Sequence, residues 1–162
     1  MKHQDKILVG NDGKNLISYT NVHDLVDLIV HSIDHPMKSK VFNVCSFDAS
    51  IRDFIEITGN MLNCKPELVS ADSNFLEENE IQQWTSLPLW LDGDYHRNDN
   101  SRAKAEFNYQ FSDINQTAKQ LVDFYENDQK WRIPETRPEP ISFDKEKELI
   151  TKIEASKNRG AV

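Results

Sequence analysis

The chain has 162 residues, 38% of them hydrophobic and 28% charged, a balance that suits one folded domain and excludes a mainly disordered chain. Its 19 basic and 27 acidic side chains leave a formal net charge of −8. That charge argues against nucleic acid and against an anionic membrane surface as partners, because both carry the same sign.

The opening residues Met1 to Asp5 contain no apolar signal core. The richest apolar run, Leu25 to Val30, is interrupted by Asp27, far short of the roughly 20 residues a membrane helix needs. A cytoplasmic location is the expectation. Cys45 and Cys64 stand alone, without CxxC spacing, and are expected to be reduced, packed thiols.

Along the chain, "KILVG" (6–10) and "NLISYT" (15–20) are β-prone runs on either side of Asn11-Asp12-Gly13-Lys14. Asp-Gly supplies the positive φ of a tight turn, so the pattern predicts a hairpin over 6–20. Val22, Leu25, Val26, Ile29, Val30 and Ile33 then recur at the spacing of one helix face. Asn21 is the expected cap. Asp24 and Asp27 suit the positive end, His31 and His35 the negative end, and Pro36 the stop.

"VFNVC" (41–45) reads as a buried-type strand. Ser50 caps a second helix with a core face of Ile51, Phe54, Ile55, Thr58, Met61 and Leu62 and with Asp53 at the capping-box position. "PELVSA" (66–71) is the next strand, and strand, helix, strand in succession predicts an α/β domain. A short acidic helix, 74–81, leads into an irregular stretch with Trp84, Leu87, Leu89 and Trp90. Residues 101–107 form one or two helical turns. Asp113 starts a helix with Ile114, Ala118, Leu121, Val122 and Tyr125 on one face. "RIPETRPEP" (132–140) is an extended connector, 142–155 is a charged helix with a narrow Leu149, Ile150, Ile153 stripe, and 156–162 is expected to fray.

Several constellations invite chemistry. His31 and His35 have a metal-ligand spacing, but HExxH lacks its glutamate here, and histidines at a helix end answer the dipole. His23 opens its helix beside Ser18, Tyr19 and Thr20, a group of donors able to hold an anion or sugar hydroxyl and equally able to act as a capping cluster. Trp84 and Trp90 are either core anchors or walls of a pocket. Arg97 to Arg102 is either a solvated capping loop or an anion contact, since arginine suits bidentate recognition of phosphate or carboxylate. Gly10 and Gly13 match neither GxGxxG nor GxxxxGK[ST], and no Tyr-x-x-x-Lys pair exists.

Taken in order, "ILVGNDGKNLISYTNVHDLVDLIV", "VFNVCSFDASIRDFIEI" and "NDNSRAKAEFNYQFSDINQTAKQLVDFY" resemble the C-terminal half of an extended short-chain dehydrogenase/reductase, the NAD-dependent epimerase/dehydratase family. They are similar to its Gly-Asp-Gly turn with "V-x-D-L-A" helix, its "vyN" strand, and its "D-x-S-K-A" segment with closing helix. "FLEENEIQQWTSLPLWL" and "ISFDKEKELITKI" resemble the isoflavone reductase-like subgroup, and the similarity runs over roughly 6–153. Arg102 stands where the family usually has Lys, and "FNYQF" (107–111) replaces Leu-Gly-Trp-x-Pro.

The resemblance implies an α/β fold: a partial Rossmann-type C-terminal portion with short strands, a hairpin and four to six helices. Residues 1–131 would form the substrate-binding lobe, 132–142 the connector, and 143–162 the C-terminal helix and tail. It implies the substrate side of an NAD(P)-dependent reductase or sugar-nucleotide epimerase/dehydratase, with Tyr19, Thr20, His23, Trp84, Trp90 and Arg97 around a small-molecule substrate. The family's glycine-rich turn and Tyr-x-x-x-Lys pair are absent, so the chain is expected to be catalytically incomplete. No catalytic, cofactor-binding or metal-ligating residue is then assigned in it, and NAD or NADP belongs to the complete enzyme. The expected partners are a dinucleotide-binding lobe or a second copy of the chain. The other reading is a non-catalytic interaction module, or a remnant of such an enzyme, that self-associates through apolar surface.

Overall fold

The computed structural model describes residues 5–35, 41–87, 90–93, 96–127 and 141–159, with 158 and 159 described by backbone alone. Among these residues the order is β1 (Lys6–Gly10), β2 (Ile17–Tyr19), α1 (Val22–Asp34), β3 (Phe47–Ala49), α2 (Ile51–Met61), β4 (Glu67–Ala71), α3 (Ser73–Glu78), α4 (Ser101–Phe107), α5 (Ile114–Asn127) and α6 (Phe143–Arg159). The fold is α/β, with six helices around short strands.

The predicted hairpin over 6–20 is corrected. β1 pairs in parallel with β4, from Lys6↔Glu67 to Gly10↔Ala71, whereas β2 pairs antiparallel with β3, from Ile17↔Ala49 to Tyr19↔Phe47. The turn between them explains the parting. Asn11, Asp12 and Gly13 all have positive φ (50°, 61° and 65°), one residue more than the two-residue turn of a tight hairpin. The Asp12 amide donates to Ser70 Oγ at 2.9 Å and its carbonyl accepts from Arg52 Nε at 2.9 Å. The turn therefore hands the chain from one sheet to the other.

Residues 41–45 are also corrected: among the described residues they join no strand, and Val41 is 84% exposed. A strand needs an edge to pair with, and the three residues of β2 are matched by Phe47–Ala49.

Two apolar clusters hold the fold. Leu8, Val69, Ala71, Leu76, Ile81, Leu87 and Trp90 pack with Leu149, Ile150 and Ile153 of α6, so the predicted stripe of the last helix lies against the parallel sheet. Glu146 of α6 also accepts the Leu8 amide at 2.9 Å, which occupies a ladder donor on β1. Helix α6 stays regular through Arg159 where fraying was expected from 156; residues 160–162, like Pro36, Leu89 and the connector 132–140, lie outside the described residues. The second cluster joins Ala49, Phe54 and Ala118 with Tyr19, Phe47, Ile51, Ile57 and Ile114, between β2–β3, α2 and α5.

The caps follow the sequence. Asn21 accepts from the His23 amide, and Ser50 with Asp53 completes a capping box on α2, each cap satisfying helix-end donors at about 1 kcal/mol. The orientation of α1 does not follow its apolar periodicity. Val22, Leu25, Val26, Ile29, Val30 and Ile33 are 39–70% exposed, while Asp24 and Leu28 are 2% and 4% exposed. The helix is seated on its polar side.

Candidate functional site

Residues Ser18 to His23 run from β2 into the first turn of α1, and the hook 96–102 lies across them. The Ser18 amide donates to the His96 carbonyl at 3.0 Å. Ser18 Oγ accepts from the Asn98 amide at 2.8 Å and donates to Asp48 Oδ1 at 2.6 Å. Arg97 Nε donates to Asp48 Oδ2 at 3.0 Å. Cys45 Sγ donates to the Asn98 carbonyl at 3.1 Å, and Asn100 Nδ2 donates to the Cys45 carbonyl. Asp99 accepts from the amide and hydroxyl of Ser101 at the start of α4. Because Ser18 is both donor and acceptor, one hydroxyl ties three segments that are distant in sequence.

Beneath this knot α1 is fixed by a second polar group. Asp24 accepts from Ser46 Oγ, from the Ser112 amide at 2.9 Å, from Ser112 Oγ at 2.8 Å and from the Tyr109 hydroxyl at 3.2 Å. The Tyr109 hydroxyl also contacts Asp27 Oδ2 at 2.8 Å. Asn21 Nδ2 donates to Thr117 Oγ1 and Gln120 Oε1, both at 2.8 Å. A carboxylate removed from water is tolerable when its lone pairs are filled in this way. Loss of hydration, followed by the bond to Asp27, holds the Tyr109 phenol well above its ordinary range.

The six sequence-predicted residues fall into two groups. Tyr19, Thr20, His23 and Arg97 belong to the segments that Ser18 joins, but Arg97 lies with Ser18 and Asp48 on one face of the β2–β3 pair and Tyr19 with Phe47 on the other. Tyr19 stacks on Phe47 at 5.6 Å and meets the edge of Phe54 at 4.8 Å. Its hydroxyl is buried without a partner among the described residues, and burial, then the charge of Asp53, pushes the phenol up to about 12. Thr20 Oγ1 donates to the Val44 carbonyl at 2.6 Å, His23 is exposed in the first turn of α1, and Arg97 is anchored on Asp48. Tyr19 and Thr20 line an apolar cleft of about 480 Å³ between α2 and α5, with Phe54, Leu121 and Tyr125 on its walls.

Trp84 and Trp90 stand elsewhere. Trp84 has φ of 65° and is 57% exposed, and its amide donates to the Trp90 carbonyl at 3.1 Å. Trp90 is 3% exposed in the cluster under β1 and, with Leu87, Ile141 and Phe143, borders a cleft of about 340 Å³. Its indole covers Gly10: a Cβ there would stand 2.2 Å from Trp90 Cδ1. Asp24, Asp48 and Ser112 escaped the sequence reading. Only the position of Asp24 in the helix's first turn hinted at a role, and the hint was for the dipole.

Among the described residues the turn at Gly10 and Gly13 does not offer a cradle for a dinucleotide. The closest glycines, Gly10 and Gly13, flank a turn whose Asp12 amide is taken by Ser70, and the open face of Gly10 is filled by Trp90. Among the described residues no group of three or more His, Cys, Asp or Glu side chains is placed to hold a metal ion. His31 and His35 stack on each other at 4.4 Å. Among the described residues no helix is long and apolar enough to cross a membrane.

No family model matches the chain, and no curated protein matches it. Among solved structures it is similar to RMD from Pseudomonas aeruginosa complexed with NADPH, with 16% identity and a TM-score of 0.54 over 77% of this chain and 36% of that one. It is also similar to dTDP-glucose 4,6-dehydratase from Bacillus anthracis str. Ames in complex with NAD, with 17% identity and a TM-score of 0.56 over 78% of this chain and 36% of that one. The chain thus shares its fold with a portion of these two structures, and it spans about a third of their length.

Proposed function

We propose that the chain is the substrate-binding portion of an NAD(P)-dependent reductase or sugar-nucleotide epimerase/dehydratase, of the isoflavone reductase-like kind, and that it needs a dinucleotide-binding polypeptide for hydride transfer. The observation that carries this is the likeness in fold to enzymes bound to NADPH and NAD, confined to about a third of their length. The sequence agrees, having neither a glycine-rich dinucleotide turn nor a Tyr-x-x-x-Lys pair. In this reading Tyr19, Thr20, His23 and Arg97 border the substrate, with Arg97 as the cation for a phosphate or carboxylate, while Trp84 and Trp90 stand apart from them. Binding and orientation are this portion's share of the chemistry; the electron carrier resides on the partner.

The test is a titration of the isotope-labelled chain followed by amide resonances, with dTDP-glucose and with NADPH separately. The expected result is saturable shifts centred on Ser18 to His23 and Arg97 with the nucleotide sugar and none with NADPH alone. No shift with dTDP-glucose at millimolar concentration, or tight NADPH binding, overturns the reading.

A second reading, a non-catalytic module that associates through exposed apolar surface, is favoured by one observation: the outward apolar face of α1.

A further inference from the structure

We propose that the exposed face of α1 is the interface of a two-fold symmetric dimer of this chain, in which the two α1 helices pack antiparallel. At 3.6 residues per turn, Val22, Leu25, Val26, Ile29, Val30 and Ile33 share an arc of about 140°. Asp24, held by Ser46, Ser112 and Tyr109, lies on the opposite side. Rotating the stripe into the body would strip that carboxylate of its partners, so the apolar face is held outward.

A second copy is the occupant the stripe fits. Two-fold packing requires a surface that complements itself. Reversing the stripe about its own midpoint, between Asp27 and Leu28, sets Val22 against Ile33, Leu25 against Val30 and Val26 against Ile29. Each pair joins one valine to a larger leucine or isoleucine, so the facing side chains share the gap evenly. The stripe contains no charge. His23 and Asp34 lie on one flank near opposite ends of the helix, so antiparallel packing sets His23 beside the partner's Asp34. It also aligns the helix dipoles favourably.

The size of the contact sets its strength. The 13 residues of α1 make a helix about 20 Å long, which gives an interface at the small end of specific contacts, below about 1,200 Å² in total. With −8 on each copy, long-range repulsion opposes association until salt screens it. The dimer is therefore reversible, depends on concentration and tightens with salt.

This inference is independent of the substrate reading: a chain that dimerises and binds no nucleotide sugar keeps this and loses that. Sedimentation velocity of the full chain, from about 1 to about 100 μM, is expected to show a monomer–dimer equilibrium that strengthens between about 0.05 and about 0.5 M salt. Val26→Lys and Ile29→Glu, both at exposed positions, are each expected to leave the unfolding transition in place and weaken association at least about tenfold. Because Val26 meets the partner's Ile29, mixing the two variants is expected to restore a mixed dimer. A monomer at every concentration and salt, as when a different polypeptide covers α1, overturns the proposal. So does a dimer indifferent to both variants, one that weakens with salt, or failure of the mixture to associate.

Discussion

Asp24 and Ser112 are joined twice: the carboxylate accepts both the backbone amide and the hydroxyl of the serine, at 2.9 and 2.8 Å. The bonds reach from α1 to the segment that starts α5, 88 residues on, and fix which side of α1 faces the body. Asp24→Ala is expected to lower the unfolding free energy by about 3 kcal/mol or more, because the donors of Ser46 and Ser112 lose their acceptor. Val26→Ala, on the outward face, is expected to change it by less than about 0.5 kcal/mol in dilute protein. Urea unfolding of the two variants checks the order, which is the reverse of what apolar periodicity suggests.

Trp90 over Gly10 makes a second relationship open to test. Gly10 has an ordinary φ of −78°, so a methyl group there meets no backbone strain, only the indole ring. Gly10→Ala is expected to cost about 1–3 kcal/mol by overpacking and to shift tryptophan emission as Trp90 moves. Combined with Trp90→Leu, the cost is expected to shrink, giving a coupling energy in a double-mutant cycle. Additive effects would sever the two residues.

The tyrosines set the behaviour at high pH. The folded state holds the Tyr19 phenol up to about 12 and the Tyr109 phenol well above its ordinary range, whereas both ionise near 10 when unfolded. The folded state therefore binds more protons than the unfolded state above pH 10. Their stabilisation is whole below that value and is lost as pH rises through the folded-state ionisation. Absorbance titration is expected to show two late phenols, and Tyr19→Phe and Tyr109→Phe are each expected to remove one. Unchanged titration curves would contradict the burial of the Tyr19 hydroxyl and the bonds of Tyr109 to Asp24 and Asp27.

Ser18 is expected to govern the hook more than the fold. Ser18→Ala removes the acceptor of the Asn98 amide and one partner of Asp48. Global stability is expected to fall by about 1 kcal/mol, while hydrogen exchange at Asn98 accelerates well beyond that of the α6 amides. Equal acceleration throughout would show that the hook has no independent motion.

Much of the local structure was legible. Asn21, Ser50 and Asp53 form the predicted caps, Leu149, Ile150 and Ile153 are the buried stripe of α6, the strand predicted over 66–71 forms over 67–71, and residues 101–107 adopt the predicted helix. Each depends on neighbours a few residues away, for which spacing is sufficient information. The proximity of Ser18 and Arg97 was within reach only as a resemblance, because no periodicity links positions 79 residues apart.

What the sequence alone determined was where helices start and stop and that α1 has one apolar face, since caps and 3.6-residue periodicity act within a turn or two. What tertiary structure decided was which way that face points, and that β1 and β2 part to separate sheets. Both outcomes come from long-range hydrogen bonds, those of Asp24 with Ser112 and of Asp12 with Ser70. A buried carboxylate needs donors more than an apolar side chain needs cover, so the polar anchor sets the orientation of α1.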